Sequence, residues 1–168
     1  MMIQIQKNFF FILLLSYFLT ACEKEEAKYV IKDRNQIPEL GIEYDSLVSI
    51  GSHDYYLDAF LWRDFMPMSP PDGKPLISIN WLTSADSSAI PDNIVMKQQY
   101  VVYNNLVWIA QYENGVHSTP EYKVEKVSRN GPNWGPNIFV TVIAKIIDTK
   151  TNQDYYVKRE KVFILRTD

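Results

Sequence analysis

From about residue 43 onward the chain sustains no helical period. Short β-branched and aromatic runs alternate instead with turn residues, which predicts strands near 44–50, 54–63, 76–84, 94–103, 106–113, 121–129, 137–147 and 154–166. Ile77, Ile79 and Trp81 alternate with Ser78, Asn80 and Leu82, and Ile138, Val140, Val142, Ala144 and Ile146 form one face opposite Thr141 and Lys145. In the last run Lys158, Arg159, Glu160 and Lys161 interrupt the alternation, so a bulge or an edge position is expected there. Asn104-Asn105 and Asn114-Gly115 each predict a two-residue type I′ turn, because Asn and Gly accept positive φ. Thr149 to Asn152 should close a long C-terminal hairpin. Met66 to Pro75 contains too many prolines for a sheet interior and must cross an end of the fold.

Eight short strands with turn-like connections define an all-β domain. The pattern resembles an antiparallel two-sheet sandwich of immunoglobulin or fibronectin type III kind. A lipocalin-like up-and-down barrel is the alternative, disfavoured by the proline crossing and by the lack of Gly-x-Trp near the first strand. Residues 23–42 are polar and charged without a sustained apolar period, and read as a flexible tether. Three segments follow: 1–21 a signal, 22–42 an anchored cysteine and tether, and 43–168 the β domain.

The signal rests on a run of apolar residues, Phe9 to Leu19, preceded by Lys7 as the sole charge. As a helix this run covers only about 16 Å, roughly half a hydrocarbon core, too short to span and suited to a secretory h-region. Leu19-Thr20-Ala21-Cys22 then resembles the lipobox of bacterial lipoproteins. That resemblance implies diacylglycerol on the Cys22 thiol, cleavage before it, and acylation of the new amino group. Two or more chains hold a protein stably at a membrane, at about 0.8 kcal/mol per buried CH₂. Glu23-Lys24-Glu25-Glu26 resembles the acidic stretch that directs lipoproteins of Bacteroidetes-type bacteria to the cell surface. An outer-membrane protein exposed at the surface is therefore the expectation, with the periplasmic face as the alternative.

Composition narrows the chemistry. The 168 residues carry a formal net charge of −3, which losing Lys7 makes one unit more negative, so phosphate neutralisation cannot drive binding and no nucleic-acid partner is expected. The single cysteine excludes an intramolecular disulfide framework, and lipidation would consume its thiol. The phosphate-binding, nucleophile-elbow, zinc-helix and dinucleotide motifs are all missing. His53 and His117 each sit beside a turn and read as solvated loop histidines. Asp86, Asp92 and Asn93 beside Ser87 and Ser88 offer oxygen ligands but match no calcium-loop spacing. No enzymatic role and no metal or cofactor beyond the lipid on Cys22 are expected. A cryptic hydrolase using carboxylates such as Asp54, Asp58 and Asp64 is the alternative.

The aromatic residues are the remaining candidates for contact with a ligand. Along residues 54–63 one face reads Tyr55, Leu57, Ala59, Leu61, and the other Tyr56, Asp58, Phe60, Trp62. Asp58 resists burial, so the second face should be the outer one. Tyr56, Phe60 and Trp62 then form a row suited to stacking on sugar rings or anchoring a protein partner, unless the proline crossing folds over them. Trp134 lies in a Gly/Pro/Asn loop, where it either plugs the end of the fold or faces a ligand. Trp62 to Leu76 resembles a segment of surface lipoproteins with an immunoglobulin-like domain, with no activity attached. Asp45-Ser46-Leu47 resembles the acceptor triplet for O-glycosylation in the same bacteria, which makes Ser46 a candidate for modification. The expected function is a non-catalytic binding or accessory module, with carbohydrate binding beside a glycan-uptake system as one alternative.

Overall fold

A computed structural model describes residues 29–168 except 42, 116 and 118. The signal, Cys22 and the acidic stretch after it lie outside the described residues. Among the described residues there are ten strands: β1 Tyr29–Asp33, β2 Leu47–Ile50, β3 His53–Asp64, β4 Ile77–Ser84, β5 Ile94–Tyr103, β6 Leu106–Gln111, β7 Glu113–Asn114, β8 Lys123–Ser128, β9 Phe139–Asp148 and β10 Gln153–Thr167. They form a curled mixed sheet in the order β1-β6-β5-β9-β10-β3-β4-β8-β7, with β2 also on β3. The fold is all-β, as the alternation predicts, and the sheet curls as a half-barrel. Its spatial neighbours β5–β9 and β10–β3 are not consecutive, which departs from up-and-down order.

The curl depends on β10. Residues 153–163 pair antiparallel with β9, while Ile164 to Thr167 pair parallel with Leu61 to Asp64 of β3. Between them the register shifts at Arg159/Val162, where Lys161 takes a φ of 54°. The four consecutive charges mark this bulge: two residues leave the ladder, and the strand turns from one limb of the sheet to the other. The limbs face each other across one core. Tyr55, Leu57, Leu61 and Leu82 from the β3–β4 limb meet Val101, Trp108, Val142 and Ile146 from the β5–β6–β9 limb. Each such side chain contributes about 1.5–3 kcal/mol when fully buried.

Residues 29–41, expected in a flexible tether, are instead part of the fold. β1 pairs with β6 along its whole length, and 3₁₀ turns follow at Arg34–Gln36 and Pro38–Gly41. Asp33 caps the first by accepting from the Asn35 N–H at 2.9 Å. Ile37 and Leu40, three residues apart, are buried on Tyr100, Val102, Val107 and Ile143, the outer face of the β5–β6–β9 limb. Tyr44 extends this strap by stacking on Tyr156, ring centroids 4.8 Å apart. One pair of apolar residues makes no visible period, which is why composition alone read this stretch as a tether.

Two turn expectations resolve differently. Tyr103 pairs with Leu106 across a two-residue turn in which Asn104 alone has positive φ, 52°. Asn114-Gly115 is not a hairpin turn: Asn114 pairs with Lys126, and the chain runs on through Gly115 to Lys123 before β8 begins. Gly115 serves a close approach, since a Cβ there would collide with the Glu125 side chain.

Candidate functional site

Alternation along β3 sets its two faces as the sequence requires. Tyr55, Leu57 and Leu61 are fully buried between the limbs, while Tyr56, Asp58 and Trp62 are half-buried on the outer side and Phe60 is exposed. The Phe60 and Trp62 rings lie 5.4 Å apart at an interplanar angle of 38°. The proline crossing does not bury this row, because Arg63 draws it toward the opposite face. The buried Arg63 guanidinium donates to the carbonyls of Lys74 (2.9 Å), Asn133 (3.2 Å), Gly135 (3.0 Å) and Asp72. Burial holds this guanidinium below its usual pKa, a shift the nearby Asp72 opposes.

Sheet register extends the row beyond β3. Trp62 pairs with Ile77 on one side and Leu165 on the other, and Phe60 pairs with Ile79. Two residues before Leu165, on the same outer face, Phe163 pairs with Phe139, their rings 5.1 Å apart. Exposure is 63% for Phe139, 47% for Leu47, 40% for Phe60 and 37% for both Phe163 and Leu165. An apolar ridge thus runs from β9 across β10 and β3 to β4. Sequence reasoning found Tyr56, Phe60 and Trp62 but missed Phe139, Phe163 and Leu165. The available signal was that Phe163-Ile164-Leu165 is apolar on both faces of one strand, one more face than the core can absorb.

Trp134 lies apart from the ridge. It packs on the main core, with its ring 5.7 Å from that of Tyr103. The Arg63 bonds to Asn133 and Gly135, and an Asn133 Nδ2 bond to Asp72 at 2.9 Å, fix its loop. Trp134 thus packs at the end of the fold, half-buried beside Tyr103 and away from the ridge. Ser46 is exposed at the bend before β2.

Polar clusters occupy the other candidate positions. His53 Nδ1 meets Asp86 Oδ2 at 3.3 Å and Ser88 Oγ at 3.0 Å, and Asp86 Oδ1 accepts from Ser84 at 2.7 Å and from Ser88 at 2.6 Å. A Ser-His-Asp relay needs serine and carboxylate on opposite ring nitrogens. Here both meet Nδ1, so this network closes a loop. Hydrogen bonds from Ser88 and Ser84 hold the Asp86 carboxyl far below the ordinary range. These bonds, and Asn93 Nδ2 donating to Asp148 at 2.7 Å, engage the loop side chains with one another. Among the described residues no group of three or more His, Cys, Asp or Glu could hold a metal.

Glu125 is buried on the outer side of β8, where it accepts from Trp81 Nε1 at 2.9 Å and lies 3.0 Å from His117 Nδ1. Burial raises its pKa, but the bonds from His117 and Trp81 outweigh burial and leave it lowered. Among the described residues no helix is long and apolar enough to cross a membrane. No family model matches the chain, and neither the curated proteins nor the solved structures contain a match to it.

Proposed function

We propose that the chain is a non-catalytic binding module of a membrane-anchored lipoprotein, held at Cys22 and docking a protein partner through the outer apolar ridge. The observation that carries the reading is the contrast between the two outer faces. The face of the β5–β6–β9 limb is covered by the chain's own strap, burying Tyr100, Val102, Val107 and Ile143. Among the described residues no such segment covers the ridge, and Phe139 and Phe60 remain exposed on it. Exposed apolar patches of this kind mark interaction sites. A protein partner is favoured over a glycan because aliphatic Leu47, Ile77, Ile79 and Leu165 flank the rings. Such side chains gain free energy by desolvation against protein but offer no planar face to a sugar.

The core shared between the limbs supports reading them as the two sheets of an immunoglobulin-like sandwich, joined by β10. With β1 starting at Tyr29, only the six residues 23–28 separate it from Cys22. At full extension they reach about 20 Å. The module therefore works close to the outer membrane, at the cell surface or on its periplasmic face, and Ser46 remains a candidate glycosylation site on an exposed bend.

Alkyne-palmitate labelling tests the anchor: wild type should label and Cys22→Ser should not. Photo-crosslinking in intact cells from a reactive residue at position 60 tests the ridge. Trp62→Ala should reduce the crosslinked adducts, in line with a binding loss of about 2 kcal/mol, while melting hardly changes. A stability loss of about 3 kcal/mol, as for a core aromatic, would mean that Trp62 is structural and the reading fails.

A further inference from the structure

We infer that the partner segment on the ridge presents an arginine, whose guanidinium pairs with the Asp58 carboxylate between Phe60 and Trp81. This inference rests on the ridge reading of the preceding section. Asp58 is half-buried on the outer face, flanked along β3 by Tyr56 and Phe60 and faced across the pair by Trp81. Among the described residues its carboxylate has no hydrogen bond and no ion pair. The neighbouring acids are all engaged. Asp54 accepts from Ser49 Oγ at 2.5 Å, Asp64 binds Lys74 Nζ at 2.6 Å, and Glu125 binds Trp81 and His117. Lys123, the cation recorded beside Trp81, lies over the indole ring, 5.1 Å from its centroid.

A half-buried carboxylate beside aromatic rings and without a partner gains from a cation that joins it. The fold also leaves an approach to it. β2 pairs with β3 at residues 53–56 and β10 pairs with it at residues 61–64, so among the described residues no strand pairs with Leu57 to Phe60 on that side. Arginine fits better than lysine: its planar fork meets a carboxylate with two parallel bonds, and its face stacks on rings. Apolar residues on either side of that arginine would cover Phe60, Trp62 and Leu165. The partner is thus an apolar segment with one embedded cation, which gives the pairing its register as well as affinity.

The test is a fluorescence-anisotropy titration of the full-length protein with a labelled peptide, Trp-Leu-Arg-Leu-Trp flanked by Gly-Ser, and with its Gln and Glu counterparts. Wild type should prefer the Arg peptide to the Gln peptide tenfold or more. Asp58→Asn should erase that ratio, Asp58→Glu should restore most of it, and Asp58→Lys should shift the preference to the Glu peptide. Trp62→Ala should weaken all three peptides. An Arg-to-Gln ratio unchanged in Asp58→Asn, with binding still lost in Trp62→Ala, overturns the arginine assignment and leaves the ridge reading standing. Absence of binding by every peptide, or binding indifferent to Trp62→Ala, overturns both. Displacement of the Arg peptide by laminarin oligosaccharides or by phosphatidylethanolamine vesicles, or concentration-dependent self-association abolished by Asp58→Asn, overturns it in favour of a glycan, a lipid surface or a second copy.

Discussion

Arg63→Met should cost about 3 kcal/mol of stability. The methionine keeps most of the buried stem, so the loss isolates the guanidinium. That group bonds four carbonyls from two loops, Asp72 and Lys74 in the proline crossing and Asn133 and Gly135 beside Trp134. Hydrogen bonds to a charged donor contribute about 1.5–3 kcal/mol each, which would suggest a far larger total. Two terms reduce it. Asp72, Lys74 and Asn133 are exposed residues, so water can replace much of what their carbonyls lose. The variant also no longer buries a charge, which returns part of the desolvation cost. Arg63→Lys should lose nearly as much, since one ammonium cannot reach carbonyls spread over two loops. Urea denaturation measures the free energy, and limited proteolysis between Met66 and Lys74 reports release of the crossing. A loss below about 1 kcal/mol with no new cleavage would refute the account, because the carbonyls would then be satisfied without Arg63.

Three further outcomes are expected. Glu125 has a lowered pKa in the fold, so the unfolded chain binds the proton first as pH falls. Its contribution is complete above the ordinary value of 4.5 and is lost as pH falls through the lower folded value; a plot of melting temperature against pH should flatten over that range in Glu125→Gln. Gly131→Ala should destabilise by about 1–3 kcal/mol in thermal melts, because its Cβ would lie 2.7 Å from the buried Trp108 ring. Leu40→Ala should cost about 2–4 kcal/mol in urea, whereas a residue in a free tether would cost nothing measurable.

Legibility followed period. The eight predicted strands all appear, because each carries enough alternation or β-branched bulk to register within one segment. β1 and β7 did not register. β1 is an edge strand of five residues with charge at Lys32 and Asp33, and β7 is two polar residues held by β8. Among their described side chains neither buries a face of its own, so neither leaves a pattern. The row Tyr56, Phe60, Trp62 was legible because Asp58 fixed which face was outer. Its extension onto β10 and β9 was not, since which strands lie side by side is a tertiary fact. The parallel pairing of Leu165 with Trp62 joins residues about a hundred positions apart, and nothing local announces it.

The bulge in β10 connects that sequence irregularity to the ridge. Side chains alternate along a strand, so a slip of one residue exchanges its faces. Before the bulge Val157 points into the core, and a strict period of two would send Arg159, Lys161, Phe163 and Leu165 the same way. Instead the shift between Arg159 and Val162 brings Val162 and Ile164 into the core and turns Phe163 and Leu165 outward. Arg159, Glu160 and Lys161 are exposed in water, and the extra residue spares the core Lys161, which the unbroken period would have buried. The same shift that allows β10 to pass from β9 to β3 therefore aligns Phe163 with Phe139 and Leu165 with Trp62 on one outer surface. Deleting Lys161 would remove the extra residue and leave Val162 and Ile164 inward with Phe163 and Leu165 outward in an unbroken ladder, so the deletion should straighten the strand without exchanging its faces.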